Sequence, residues 1–175
     1  MIIKRPHRTE YPDFFETYIK LVQGDTVLKK LQDSLLDLQG IVSSIPEEYE
    51  NFKYAPDKWT VKDVIGHIID TERIMAYRAL RFARNDKVEL PGYDQNIYAP
   101  HATYNKRTLY DIAHEFSLVR ESNIILFRNF DDEALLRMGK ANKWDMSVRS
   151  LIYVISGHEL HHLHILKTKY LPEIN

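Results

Sequence analysis

Four long stretches of this chain carry apolar residues at every third or fourth position, the spacing of an amphipathic helix. None of the sequence alternates apolar and polar residues in the way that a half-buried strand does. Because a helix with one apolar face must bury it against a neighbour, the pattern predicts an all-α four-helix bundle. The four predicted helices cover residues 26–43, 60–85, 106–129 and 147–170.

Shorter elements are predicted between these helices. A short extra N-terminal helix covers 13–22 and ends near Gly24, and one or two helical turns cover 131–138. Thr60 and Asp63 form a capping-box pattern at the start of the second long helix. A long loop, 86–105, joins the second and third long helices, and structureless connections of this length are usually functional or disordered.

The composition is that of one globular domain, and we treat residues 1–175 as a single unit. Twenty-four basic and 25 acidic residues leave a net charge of −1, so we expect neither nucleic acid nor an anionic membrane as a partner. The chain has no cysteine, which excludes disulfides and thiolate ligands. With no signal-like apolar run near the start, we expect a cytoplasmic protein.

The histidines form the pattern that most directly suggests chemistry. His158 and His162 are four residues apart, so they share one face of the last helix with apolar residues that should point inward. His67 is the only histidine of the second long helix and lies among apolar neighbours. Three inward imidazoles from two helices would bind one divalent metal ion and leave positions open for water or substrate. The alternative is a metal-free bundle whose core histidines are hydrogen-bonded.

Two carboxylates are candidates for catalysis beside such an ion. Glu159 completes an H-E-x-x-H pattern in 158–162, the zinc-peptidase signature in which the glutamate acts as a base. The third ligand of those enzymes lies downstream, whereas here it would have to be the upstream His67. Asp70 lies one helical turn after His67 and could orient a ligand or accept a proton; alternatively it is a solvated charge paired with a nearby arginine.

Arg78 and Arg81 share that face of the helix but lie about 16 and 21 Å along its axis from His67, too far to touch the ion. They could bind an anionic part of a substrate or form ordinary surface ion pairs. The long loop adds aromatic and acidic residues that could form a lid over the metal or simply pack on the bundle: Tyr93, Asp94, Tyr98 and Tyr104.

The chain resembles the DinB/YfiT-like superfamily of metal-binding four-helix bundles. The resemblance rests on residues 54–73 (YAPDKWTVKDVIGHIIDTER), 78–84 (RALRFAR), 90–95 (LPGYDQ) and 157–162 (GHELHH). It implies that His67, His158 and His162 bind zinc, nickel or a similar ion, and that the protein forms a homodimer.

The resemblance implies one of three functions. The first is a metal-dependent hydrolase that acts on a small molecule by activating water. The second is a transferase that uses a low-molecular-weight thiol, and the third is a non-catalytic metal-binding dimerisation bundle. Hydrolysis and thiol transfer differ in the nucleophile that the ion activates.

Overall fold

The computed structural model describes residues 2–174 and confirms the helical bundle. Its helices are α1 Glu16–Ile19, α2 Val27–Ser43, α3 Val61–Ala83, α4 Gln95–His101, α5 Leu109–Arg128, α6 Asp132–Leu136, α7 Val148–Ile165 and α8 Leu171–Ile174. Two short strands, β1 Met138–Ala141 and β2 Trp144–Ser147, precede α7. The long helices α2, α3, α5 and α7 correspond to the four predicted ones.

The order of the helices around the bundle differs from their order along the chain. Helix α3 packs against α5 and α7, and α2 packs against the same two helices. The consecutive helices α2 and α3 are therefore diagonal to each other, whereas α3 and α7 are neighbours. This arrangement brings together the two helices that carry the candidate metal ligands.

Side-chain caps define where the long helices begin. The Thr60 hydroxyl accepts a hydrogen bond from the Asp63 amide at 3.0 Å, and the Asp63 carboxylate accepts one from the Thr60 amide at 3.1 Å. This is the predicted capping box, which satisfies two amide groups that the helix itself cannot pair. Ser147 caps α7 in a related way, because its hydroxyl accepts a hydrogen bond from the Ser150 amide at 3.0 Å.

The β-hairpin before α7 was not predicted. Strands β1 and β2 pair antiparallel through a two-residue turn in which Asn142 and Lys143 have φ angles of 50° and 69°. Four-residue strands offer too few positions for alternation to be recognised, and Asn-Lys lacks the glycine typical of such turns. The Leu90 amide donates to the Lys140 carbonyl at 2.9 Å, which ties the hairpin to the segment after α3.

Three other boundaries differ from the prediction. Helix α1 is shorter than the predicted 13–22 and follows a 3₁₀ turn at Asp13–Phe15. The long connection contains α4, which begins after Asp94, whose side chain accepts a hydrogen bond from the Asn96 amide. The last helix continues past Ile165 through a wider π turn, Leu166–Tyr170, into α8. Within residues 2–174, no helix is both long and apolar enough to cross a membrane.

A buried ion cluster joins all four long helices. Arg120 on α5 is fully buried and binds the Glu72 carboxylate on α3 through Nε and Nη2, at 2.9 and 2.7 Å. Its Nη1 donates to the Leu31 carbonyl and the Ser34 hydroxyl of α2, at 3.0 and 2.6 Å. Glu159 on α7 places Oε2 2.7 Å from the same Nη1. The contacts of this one guanidinium therefore help to fix the relative orientation of the four long helices.

Two glycines let neighbouring segments approach the helices that carry the histidines. A Cβ on Gly157 would lie 2.1 Å from the Tyr18 carbonyl oxygen, and one on Gly66 would lie 2.2 Å from the Tyr104 ring. Each glycine directly precedes a candidate ligand, His158 or His67. The two glycines therefore allow α1 and the connection between α3 and α5 to pack closely beside these histidines.

Replacing Gly157 by alanine should destabilise the protein, because the new methyl group would collide with backbone atoms that cannot move independently. We expect a loss of about 1–3 kcal/mol in the free energy of unfolding, measured by urea denaturation. Gly40→Ala on α2 is the matched control, since nothing lies within 4 Å of its added Cβ. The free energy of unfolding of Gly40→Ala should rise by up to about 1 kcal/mol, because alanine has a higher helix propensity than glycine. Equal responses of the two variants would contradict this account of Gly157.

Removing the cation of the buried cluster should cost far more than removing an exposed one. Arg120→Met would leave Glu72 and Glu159 buried without their partner, and we expect a loss of about 3–5 kcal/mol. The control, Arg128→Met on the same helix, removes an exposed arginine and should change stability by no more than about 0.5 kcal/mol. Thermal and urea unfolding would both measure the difference, and similar losses would contradict the proposed importance of the cluster.

Candidate metal centre

Neighbouring helices α3 and α7 bring His67, His158 and His162 together. The Nε2 atom of His158 lies 3.0 Å from that of His67 and 3.1 Å from that of His162. The three ligand atoms all lie within 4.8 Å of one another. His67 and His158 are 8% and 6% exposed, and His162 is partly buried. The group thus has the composition and spacing that the sequence analysis expected.

The arrangement fits three lone pairs that point at one cation. An imidazole nitrogen carries either one lone pair or one hydrogen, so His158 Nε2 cannot form a good hydrogen bond to both neighbours at once. A divalent ion about 2.1 Å from each nitrogen would instead hold tetrahedral ligands about 3.4 Å apart. The observed separations of 3.0 and 3.1 Å are close to this value. The donor set therefore suits a divalent metal ion.

Burial keeps the three imidazoles neutral. Loss of solvent lowers the pKa of His67 to about 4. Burial, together with the neighbouring His67 and His161, lowers the pKa of His162 to about 3. For His158, burial and the other histidines lower the pKa well below its usual value. At neutral pH the ring nitrogens therefore keep the lone pairs that metal binding needs.

Aromatic side chains surround the histidines on both sides. The Trp59 ring, which precedes α3, lies 4.8 Å from the His67 ring, measured between centroids. Tyr18, in α1, contacts His158 edge-on at 5.3 Å. These contacts restrict the orientation of the imidazoles and exclude water from part of their surface.

Asp70 lies beside His67, as its position one turn along α3 suggested. Its Oδ1 accepts a hydrogen bond from the Tyr104 hydroxyl at 2.9 Å, and burial raises the pKa of the carboxyl. Asp70 and His67 both line a small cavity of about 10 Å³, which has room for about one water molecule. The structure therefore places a carboxylate and a water-sized space on one side of the histidines.

Glu159, in contrast, does not join the three histidines. Its carboxylate is fully buried and pairs with Arg120, with Oε2 2.7 Å from the guanidinium Nη1. Burial raises the pKa of this carboxyl to about 7, although Arg120 opposes the shift. Consecutive residues of a helix point about 100° apart, so the inward turn of His158 directs Glu159 towards a different part of the core. The role of base that the H-E-x-x-H pattern suggested has no support from this placement.

A second, larger cavity of about 240 Å³ has His158 in its wall and shares Tyr93 and Gln95 with the small cavity. Aromatic residues from α1, the connection and the hairpin form much of its wall, among them Tyr18, Tyr93 and Trp144. Thr71, Met75 and Arg78 of α3 form another part of it. The cavity is slightly smaller than the 300–1,000 Å³ typical of sites for drug-sized ligands, so its size suits a small molecule.

The remaining residues singled out in the sequence have separate places. Tyr93 lines both cavities, and Tyr98 and Tyr104 line the small one, so the connection does cover the site. Asp94 instead caps α4, and Arg81 forms an ion pair with Asp86. Sequence reasoning missed Phe14, Tyr18 and Trp144 as cavity residues. Their only signal was aromatic character in segments of short, weakly patterned structure.

Comparison with known proteins agrees with this fold. The chain is similar to YfiT from Bacillus subtilis, described as a probable metal-dependent hydrolase with an unusual four-helix bundle topology. The identity is 16%, the TM-score is 0.70, and the match covers 93% of this chain and 89% of YfiT. The DinB-like protein YjoA from the same organism matches with 16% identity and a TM-score of 0.62, over 85% of this chain and 90% of YjoA.

At these identities the two structures establish the fold and leave the activity open. Among curated proteins, no sequence matches this chain. The model of the DinB superfamily matches residues 30–166, which include most of α2, the whole of α3, α5 and α7, and all three histidines. The resemblance noted from the sequence is thus confirmed, and the chain belongs to the DinB superfamily.

Proposed function

We propose that this protein is a metal-dependent hydrolase that acts on a small molecule, with one divalent ion bound by His67, His158 and His162. The observation that carries the proposal is the meeting of three neutral imidazoles, two of them buried and one partly buried, with His67 lining one cavity and His158 lining another. Nitrogen donors of this kind suit zinc or nickel. The likeness to YfiT, which is described as a probable metal-dependent hydrolase, supports the same class of reaction.

When bound, the ion would supply a Lewis acid that lowers the pKa of a coordinated water and polarises the bond to be cleaved. Asp70, which lines the small cavity together with His67, would accept a proton from a water molecule held there. The Tyr104 hydroxyl holds its carboxylate in position at 2.9 Å, and burial makes it more basic than an exposed aspartate. The water-sized space that Asp70 shares with His67 favours water as the nucleophile over a larger thiol.

The substrate would bind in the larger cavity. This 240 Å³ cavity reaches His158 and is lined mainly by aromatic and apolar side chains, which would exclude water around the bond to be cleaved. Tyr93 and Gln95 line both cavities, so the two spaces adjoin each other. In this arrangement the water would lie beside His67 and the substrate beside His158.

Metal binding tests the first part of the proposal. We expect elemental analysis of the untagged protein to find about one zinc or nickel ion per chain. The His67→Ala and His162→Ala variants should contain no bound ion. His164→Ala is the control, since this histidine is exposed on the same helix. An ion that binds only the folded state stabilises it, so chelation should lower the melting temperature of the wild type and of His164→Ala. Chelation should leave the melting temperatures of His67→Ala and His162→Ala unchanged. Retention of one ion by His67→Ala would contradict the site.

Turnover tests the second part. Metal-loaded protein should hydrolyse some members of a panel of small esters and amides, and Asp70→Asn should lower kcat by about 10²–10⁴-fold while one ion remains bound. Tyr104→Phe, which removes only the hydrogen bond to Asp70, should have a smaller effect. The same panel assayed with added low-molecular-weight thiols separates the alternatives. Turnover that requires a thiol would replace the hydrolase proposal by thiol transfer, and turnover without metal would refute both.

A further inference from the structure

Arg78 is a buried cation without a buried anion. The residue is only 6% exposed, yet no carboxylate of residues 2–174 lies within 4.0 Å of its guanidinium. Its Nη2 donates to the Pro91 carbonyl at 2.9 Å, and Nη1 has a weak contact with the Met75 sulfur at 3.7 Å. The Tyr93 ring lies 5.8 Å from its central carbon. Neutral partners of this kind do not balance a buried positive charge.

The other buried arginine shows what the fold does with such a charge elsewhere. Arg120 binds Glu72 through two nitrogens and also contacts Glu159. Removing a cation from water costs several kcal/mol unless an anion compensates for it. Arg78 therefore differs from Arg120 in lacking the anion that would account for its burial.

Arg78 lines the larger cavity together with His158. Among residues 2–174, no aspartate or glutamate lines this cavity, and the guanidinium is the one permanently charged group in its wall. Eleven residues of helix, about 16 Å of rise, separate Arg78 from His67. Because Arg78 and His158 both line this cavity, one ligand bound in it can contact both residues.

We propose that Arg78 binds the carboxylate of the substrate, so that the site accepts small monocarboxylates with an apolar or aromatic body. This inference rests on the proposed function for its link to turnover, but the binding itself requires only Arg78 and the cavity. A guanidinium matches a carboxylate through two parallel hydrogen bonds. In the metal-free protein, one cation among aromatic walls balances one negative charge, whereas a phosphate dianion would bring a second charge that no other side chain of this wall compensates.

Binding to metal-free protein tests the inference without turnover. The probes are 3-phenylpropionate and its neutral amide, with phenyl phosphate as the dianion. Ligand-observed NMR measures the dissociation constants, and the indole resonance of Trp144, which lines the cavity, reports where each probe binds. We expect the carboxylate to bind at least about 10-fold tighter than the amide, the lower end for a hydrogen bond to a charged group. Equal affinities for the two, or tighter binding of phenyl phosphate, would overturn the inference.

Variants locate the source of the preference. Arg78→Met should abolish it by weakening carboxylate binding about 10-fold or more while leaving amide binding within about twofold. Arg78→Lys should retain part of the preference for the carboxylate, because lysine keeps the positive charge but lacks the planar guanidinium. This variant replaces Arg78→Met in the test if the methionine variant does not fold. Arg84→Met is the matched control, since it removes an exposed charge just after the same helix and should bind the probes like the wild type. An unchanged preference in Arg78→Met would overturn the inference.

The two proposals fail in different ways. If Arg78-dependent carboxylate binding persists in His162→Ala but no substrate is hydrolysed, the carboxylate site stands and the hydrolase proposal fails. If metal-dependent hydrolysis is found but Arg78→Met raises KM equally for neutral and carboxylate-bearing esters, the hydrolase proposal stands and the role of Arg78 is refuted. Carboxylate binding that appears only with zinc and ignores Arg78 would mean that the probe binds the ion directly, which also refutes that role.

Discussion

The contact of Arg120, on α5, with the other three long helices is the interaction on which the rest of the structure depends. A fully buried guanidinium must be surrounded by acceptors, and these come from α2, α3 and α7. By holding Glu159 in the core, Arg120 sets the rotation of α7 about its own axis. That rotation directs His158 and His162 towards His67 on α3, so a structural ion cluster and the candidate metal centre are coupled through one helix.

Two adjoining cavities beside the three histidines differ in size and chemistry. The one lined by Asp70 and Tyr104 is water-sized and bounded by a hydrogen-bonded carboxylate. The one that reaches His158 is larger and mainly aromatic, and it contains the buried cation Arg78. The smaller space therefore suits a single water molecule, and the larger one suits a small ligand with an apolar body.

Residues with strong helical periodicity were the ones whose placement could be predicted. His158 and His162 had to share a face because they are four residues apart, and His67 had to turn inward because its neighbours are apolar. Glu159 shows the limit of motif reasoning, since the pattern matched in letters while the helix turned this side chain towards Arg120. The hairpin was missed because its strands are only four residues long, and Trp144 was missed with it.

The sequence by itself determined the helical class, the approximate extent of the long helices and the identity of the three histidines, because these follow from spacing along a single helix. Only the tertiary structure decided that α3 and α7 are neighbours and that Arg120 neutralises buried carboxylates from two helices. It alone also decided that Arg78 is buried with no carboxylate of residues 2–174 beside its guanidinium. These features depend on which faces of distant segments meet. Local periodicity records which face of a helix is apolar and carries no information about the partner that covers it.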